Sequence, residues 1–396
     1  NHSMQFGREP KFNNHCVERV CYEFDPREGG EYPLFSRKAN AVRMKNLLTV
    51  SGILLVAFAS SCQTDELYCG QLNKGLKLEN VTKIGFGSCA DQDKSQPVLA
   101  AARKVDLDVF VWLGDNIYGD THKMRVLRKK YGMLGCKPEF RKLNEEAFYL
   151  AVWDDHDYGQ NDAGKDYSKK EESKQIFLDF WSEPSNSERR RHAGIYHSVT
   201  TGEVGRRIQF IMLDTRTFRD SILPATGSEF RNDYRPHTDS TVDFLGVEQW
   251  AWLESVLEEP AELRVVCSSN QFGISYNGFE AWANFPAERS RFAELVKSTQ
   301  ANGVMFISGD VHYAEVSQFD HPGCYPLYDI TSSGITSTWP DVEANTNRIG
   351  QAYSSNNFGV IEVDWEQSEP TVFISIRDVN GNTVKSLTIP LRELSF

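Results

Sequence analysis

The sequence predicts an α/β fold, and three observations carry that expectation. Short apolar runs rich in β-branched residues recur as Lys83-Ile84-Gly85-Phe86, Val109-Phe110-Val111-Trp112-Leu113 and Val304-Met305-Phe306-Ile307. Such runs read as buried parallel strands. Each runs directly into a turn with chemically active side chains: Gly87-Ser88-Cys89, Gly114-Asp115-Asn116-Ile117-Tyr118 and Gly309-Asp310-Val311-His312. Segments of helical character lie between them. Open α/β sheets bind ligands at the carboxyl ends of their strands, so these turns are expected to converge on one cleft.

The chain has 396 residues and a formal charge of −12. That length suits one large α/β domain with additions. No basic stripe is present, which argues against a nucleic-acid partner. Residues 1–43 have no clear period and read as a leader or tag. Met44-Lys45-Asn46 opens a run that is nearly all apolar from Leu47 to Ala59 and ends in Ser60-Ser61-Cys62. A basic start, a short apolar core and small residues before a Cys describe a bacterial lipoprotein signal over 44–61, with Cys62 lipidated. A plain signal peptide and a buried helix are the alternatives. The run is too short to span a bilayer, which takes about 20 residues. Residues 62–80 are polar and read as a tether, leaving 81–396 as the catalytic domain.

Within that domain, Ser95–Lys104 reads as a helix. Lys123–Lys142 is charged and helical, with a break near Gly132–Gly135. Ala147–Trp153 is a strand and leads into Trp153-Asp154-Asp155-His156-Asp157. Asp166–Trp181 is an amphipathic helix. Arg207–Leu213 is a strand ending in Asp214-Thr215-Arg216, and residues 218–242 form a long loop. Leu245–Leu257 is helical, Arg264–Cys267 a strand, and Pro286–Thr299 a helix with Pro in its first turn. The tail alternates over Gly359–Trp365, Thr371–Arg377 and Thr383–Ile389, with Asn380-Gly381 as a hairpin turn. Five cysteines follow Cys62. An odd number in an exported chain leaves at least one thiol outside any disulfide, and Cys89 is the candidate.

The ordered set Gly-Ser-Cys, Gly-Asp-x-x-Tyr, Trp-Asp-Asp-His-Asp and Gly-Asp-x-His-Tyr-Ala-Glu resembles that of the PhoD-like metallophosphatases (the alkaline phosphatase D family). These are relatives of calcineurin-like and purple acid phosphatases. Leu213-Asp214-Thr215-Arg216, Ser269-Asn270-Gln271 and Trp282–Arg289 are similar to that family too. The resemblance covers roughly Val81 to Tyr313. It implies a metallophosphoesterase-type β-sandwich, two mixed sheets flanked by helices in four αββα layers.

The resemblance also implies an Fe³⁺ plus Ca²⁺ centre, with Mn²⁺, Mg²⁺ or Zn²⁺ as alternatives at the second position. Cys89, Asp115, Tyr118 and His312 would hold iron, Asp115 would bridge, and Asp155 and Asp310 would face the second cation. A thiolate and a phenolate suit a highly charged iron. Oxygen-rich sites suit Ca²⁺, Mg²⁺ or Mn²⁺. The implied activity is metal-dependent phosphoester hydrolysis, with a metal-activated hydroxide attacking phosphorus in line. His156, oriented by Asp157, would protonate the leaving group; metal ligation is its alternative. Arg216 is a candidate phosphate fork or a structural ion pair. Asn270 and Gln271 would orient phosphate or simply hydrogen-bond within the core. Trp282, Phe285 and Trp339 would line the cleft or pack inside. Two further readings are a phosphodiesterase or phospholipase D-like enzyme on lipids or cell-wall polymers, and a non-catalytic surface lipoprotein. The expected location is the bacterial periplasm or cell surface, lipid-anchored through Cys62.

Overall fold

The computed structural model describes residues 71–227, 230 and 232–396. The expected leader, signal and lipid-bearing Cys62 lie outside the described residues. Strand β1 (Lys83–Gly87) is followed by helix α1 (Pro97–Arg103), then by β2 (Val109–Leu113). Helices α2 (Met124–Gly135) and α3 (Pro138–Asn144) come next. The expected break falls at Cys136–Lys137 rather than within the glycines, because Pro138 has no N–H to continue α2 and is favoured at a helix start. β3 (Phe148–Val152), the short α4 (Asp155–Tyr158) and α5 (Lys170–Phe180) complete the first half.

The second half begins with β4 (His197–Thr201) and β5 (Ile208–Met212). The loop expected over 218–242 contains a two-residue pairing of β6 (Leu223–Pro224) with β7 (Tyr234–Arg235). Then follow α6 (Gly246–Glu258), β8 (Leu263–Cys267), α7 (Pro286–Ser298) and β9 (Val304–Ser308). β10 (Ala314–Phe319), β11 (Leu327–Ser332), β12 (Asn357–Asp364), β13 (Thr371–Asp378) and β14 (Thr383–Pro390) close the chain.

Two six-stranded mixed sheets result, in the orders β14-β13-β12-β1-β2-β3 and β10-β11-β9-β8-β5-β4. β1, β2 and β3 are parallel, as are β5, β8, β9 and β11. The four strands β2, β5, β8 and β9 are buried along their whole length, although β5, β8 and β9 carry Gln209, Arg264 and Ser308. The three alternating tail strands form the antiparallel end of the first sheet. One continuous core joins both sheets and the helices.

β4, β10 and β11 are the strands that the sequence does not announce. β4 and β10 are edge strands with polar side chains. β11 is interior, but it carries Asp329, whose carboxylate accepts from Phe272 N at 2.7 Å, Gly273 N at 2.8 Å and Ser308 Oγ at 2.7 Å. Those partners come from distant segments, so no local pattern reveals why a buried strand contains an acid.

The end of the expected tether is docked. Leu72 is buried, Asn73 Nδ2 donates to Tyr149 O at 3.0 Å, and Thr201 Oγ1 donates to Leu78 O at 2.8 Å. The folded unit therefore begins before Val81. Cys89, Cys267 and Cys324 are free thiols, whereas Cys136 is disulfide-bonded.

The carboxyl ends of β2 and β9 meet at Gly309. A Cβ there would lie 2.8 Å from Leu113 O and 2.6 Å from Ser88 Oγ. Backbone cannot give way as a flexible side chain can. Gly309→Ala should destabilise the protein by about 1–3 kcal/mol through overpacking. Urea unfolding measures this, and an unchanged midpoint at an unchanged slope would refute the close approach.

Candidate metal centre

The turns that follow the parallel strands leave the strand conformation abruptly. Cys89, Asp115, Asp310 and His312 have φ of 62°, 48°, 77° and 62°. Non-glycine residues avoid this left-handed region, at roughly 1–2 kcal/mol each. Such outliers persist only where the surrounding structure over-determines them. Here hydrogen bonds do so. Cys89 N donates to Gly114 O and Ala90 N to Asp115 O, tying the first turn to the second. Thr336 N donates to Cys89 O at 3.1 Å, and His312 N donates to Ser333 Oγ at 2.9 Å. Gly114, at φ 91°, packs so closely that a Cβ would sit 2.5 Å from Asp154 Cβ.

These turns gather donors into adjoining groups. Ligand atoms of Cys89, Asp115 and His312 lie within 4.8 Å of one another, as do those of Asp154, Asp155 and Asp310, and of Asp115, Asp155 and His156. Tyr118 completes the first group, with its hydroxyl 3.0 Å from His312 Nε2. All six sequence-predicted metal residues are thus assembled, and Asp115 stands between the two sides.

The electrostatics explain why cations fit. Burial first, then neighbouring negative groups, push the carboxyls of Asp115 and Asp310 well above the usual carboxylate range. Burial pushes the Cys89 thiol up to about 12 and drives the Tyr118 phenol upward as well. Burial, then the charge of His156, pushes His312 down to about 4, which favours its neutral, ligand-competent form. Asp115 Oδ1 and Asp154 Oδ2 are buried without a hydrogen-bond partner. Crowded, desolvated acids with unpartnered oxygens form a site that cations stabilise, and a bound cation would favour their ionised forms. The donor set fits one thiolate- and phenolate-binding metal beside an oxygen-bound one.

Arg216 belongs to the scaffold. It is fully buried, its Nε donates to Asp154 Oδ1 at 2.6 Å, and its Nη2 lies 2.5 Å from Glu280 Oε2. Arg219 reaches the other Glu280 oxygen at 2.7 Å. The phosphate-fork expectation gives way to the structural ion pair. Asp155 is held below the usual range. Burial opposes its charge, but Arg216 and His156 outweigh it.

The His156 ring is positioned by Asp120, not by Asp157. His156 Nδ1 lies 2.8 and 2.9 Å from the two Asp120 oxygens, and its ring packs on Tyr118 at 4.4 Å between centroids. Burial opposes the charged ring, but the Asp120 bond and the charge of Asp155 raise it to about 9. Asp157 is buried elsewhere. Its carboxylate accepts from Asp154 N at 2.7 Å, Asn116 Nδ2 at 2.6 Å and Tyr131 OH at 3.0 Å. It caps α4, and so holds the loop that carries Asp155 and His156.

Gln271 Nε2 donates to Glu315 Oε1 at 2.8 Å and Thr331 Oγ1 at 2.9 Å, a core network rather than a phosphate contact. Asn270 is fully buried and both its amide atoms lack a partner. Trp282 and Phe285 pack on Phe244 in the core. Trp339 does border the cleft beside His312. Asp120, Glu280 and Ser333 are the site residues that sequence reasoning misses. Asp120 stood two residues beyond Tyr118, within reach of that motif; the other two carry no local signal.

Comparison with known proteins agrees with this geometry. A family model described as PhoD-like phosphatase matches residues 85–367. Alkaline phosphatase D of Bacillus subtilis (strain 168) is 26% identical over 189 residues, covering 41% of this chain and 31% of that protein. The match thus spans about a third of that relative's length. The solved structure of PhoD superposes with a TM-score of 0.55 at 18% identity, covering 78% of this chain and 72% of that one. At that identity the likeness speaks for the fold.

If Arg216 is structural, Arg216→Ala leaves Asp154 buried without its cation and Glu280 with Arg219 alone. The expected loss is about 3–5 kcal/mol of stability, read by thermal or urea unfolding. A variant of parental stability whose only defect is a raised KM would return Arg216 to the substrate.

Proposed function

This chain belongs to the PhoD-like phosphatase family, and on that premise we propose that it hydrolyses phosphate esters at the centre formed by Cys89, Asp115, Tyr118, Asp155, Asp310 and His312. The observation that carries the reading is the meeting of a thiol–carboxylate–imidazole group and a three-carboxylate group around Asp115. In this reading iron is held by Cys89, Asp115, Tyr118 and His312, and calcium, or a similar hard cation, by Asp155 and Asp310 with Asp115 shared. When bound, the two cations would supply an activated water nucleophile and offset charge on the phosphoryl oxygens.

The protein's own residues do the rest. His156 Nδ1–H donates to the Asp120 carboxylate, which leaves Nε2 as the atom that can hand a proton to the departing alkoxide. Asp154, fixed by Arg216 and by Ser269 Oγ at 2.7 Å, anchors the turn that bears Asp155 and His156. Asp157 stiffens the same turn from below.

We also infer export. A disulfide at Cys136 suits an oxidising compartment, and the signal-like run ends at Cys62. A lipid on Cys62 would tether the enzyme to a membrane of the periplasm or cell surface. No helix among the described residues is long and apolar enough to cross a membrane.

Two experiments test the catalytic reading. Freshly purified protein should contain iron, with visible charge-transfer absorption from Cys89 and Tyr118. Asp115→Asn should deplete both metals and lower kcat by about three orders of magnitude, since several kcal/mol of metal-derived stabilisation is lost. A colourless zinc-only enzyme of full activity would refute the iron assignment, and near-normal turnover in a folded Asp115→Asn protein would refute the shared ligand.

A general acid matters most for a poor leaving group. His156→Ala should slow alkyl phosphates by about 10²–10⁴-fold and aryl phosphates with acidic phenols far less. Asp120→Asn should show the same dependence in weaker form. Equal losses on both substrates, with metal depleted, would assign His156 to the metals instead.

A further inference from the structure

Strand β11 runs parallel to β9, so the residues that follow it reach the same sheet edge as Asp310 and His312. The first of them, Ser333, is fully buried. Its own N donates to Tyr313 O at 3.2 Å, which fixes its place. The Ser333 hydroxyl stands between two of the candidate metal residues. Its oxygen accepts from His312 N at 2.9 Å and lies 3.1 Å from Cys89 Sγ. His312 has left-handed backbone, at φ 62°, and directs its N–H at this serine. A serine hydroxyl carries one proton. With His312 N–H donating to the oxygen, that proton is left to meet the sulfur. Ser88 Oγ is farther from the sulfur, at 3.5 Å. The segment that begins at Ser333 goes on to touch the same residues. Thr336 Oγ1 donates to Cys89 O at 2.8 Å, Ser337 Oγ lies 3.3 Å from Tyr118 OH, and Trp339 N donates to His312 O at 2.9 Å.

We propose that Ser333 is a positioning residue of the metal centre, whose hydroxyl donates to the Cys89 sulfur while it holds the His312 backbone. The inference rests on the metal assignment in the phosphoester reading above and concerns a residue that reading does not use. A hydrogen bond to a thiolate draws electron density from sulfur and weakens its donation to a metal. Burial strengthens the effect, because no water competes for the sulfur. More positive charge is thereby left to act on a phosphoryl oxygen. One hydroxyl thus sets both the donor strength of Cys89 and the seat of His312.

The test loads the full chain with Co²⁺, whose thiolate charge-transfer band in the near ultraviolet reports on the sulfur. Loss of the band in Cys89→Ser assigns it to Cys89. Ser333→Ala should move the band to lower energy, because a sulfur without its hydrogen bond gives up charge more easily, and should weaken Co²⁺ binding about tenfold. Ser333→Thr keeps a hydroxyl and should bring the band back toward its parent position. A band unmoved by Ser333→Ala, or moved equally by Ser333→Thr, would overturn the proposal. Should Ser333→Ala not fold, resonance Raman spectra of Ser88→Ala decide the matter. Its metal–sulfur stretch should shift between H2O and D2O, and an unshifted stretch would overturn the hydrogen bond. Hydrolysis of p-nitrophenyl phosphate by the parent protein loaded with iron and calcium is read in parallel. Cleavage together with an unmoved band refutes the role of Ser333 and leaves the phosphoester reading standing. A moved band without cleavage does the reverse. A parent spectrum identical to that of Cys89→Ser overturns both the sulfur ligand and the hydrogen bond to it.

Discussion

Like charge crowded out of water is the constraint on which the rest of this structure depends. Asp115, Asp154, Asp155 and Asp310 are brought together where solvent cannot screen them, with a thiol and a phenol alongside. Arg216 is the buried cation that directly faces the acids of the second group. An isolated buried carboxylate costs several kcal/mol, so a cluster of them survives only if protons, guanidinium or metal ions offset it. The upward shifts of Asp115 and Asp310 express that deficit, and the unpartnered oxygens mark where it is concentrated.

The architecture enforces the crowding. Parallel strands in the two sheets end at the same place, and the turns after β1, β2 and β9 are forced into left-handed backbone. A left-handed residue after a strand redirects its side chain across the strand end instead of along the sheet face. Cys89, Asp115, Asp310 and His312 all use this device. Its cost is met by cross-turn hydrogen bonds and by glycines, Gly114 and Gly309, that let backbones approach. Around this rigid base, α4 presents Asp155 and His156 on a single capped turn, and the loop carrying Ser333 and Trp339 closes over the other side.

Much of the site was legible because short motifs coincide with strand ends. An apolar run of five residues identifies a buried strand, and a Gly-Asp or Gly-Ser-Cys that follows it must lie at the sheet's binding edge. That logic reached all six candidate metal residues and His156. It did not give the contacts of Asp157 or choose between the two readings of Arg216, because sequence adjacency does not give direction. One turn of helix points Asp157 back toward Asn116 and Tyr131 while His156 faces Asp120. Arg216 has the chemistry of a phosphate fork, but Glu280, 64 residues later in the chain, occupies it. Strands β4, β10 and β11 escaped for a related reason, since their polar residues are satisfied by partners far away.

The sequence by itself determined which residue types stand at the ends of buried strands, the α/β class, the helices flanked by Pro, and the hairpin tail. These follow from local periodicity and backbone chemistry, which act over a few residues. Only the tertiary structure decided which acid holds His156, which acids Arg216 neutralises, and that Trp339 rather than Trp282 or Phe285 borders the cleft. Those outcomes depend on the direction in which side chains from separate loops point once the two sheets pack. Direction of that kind is fixed by three-dimensional packing and hydrogen bonding across long stretches of chain, which no window of sequence contains.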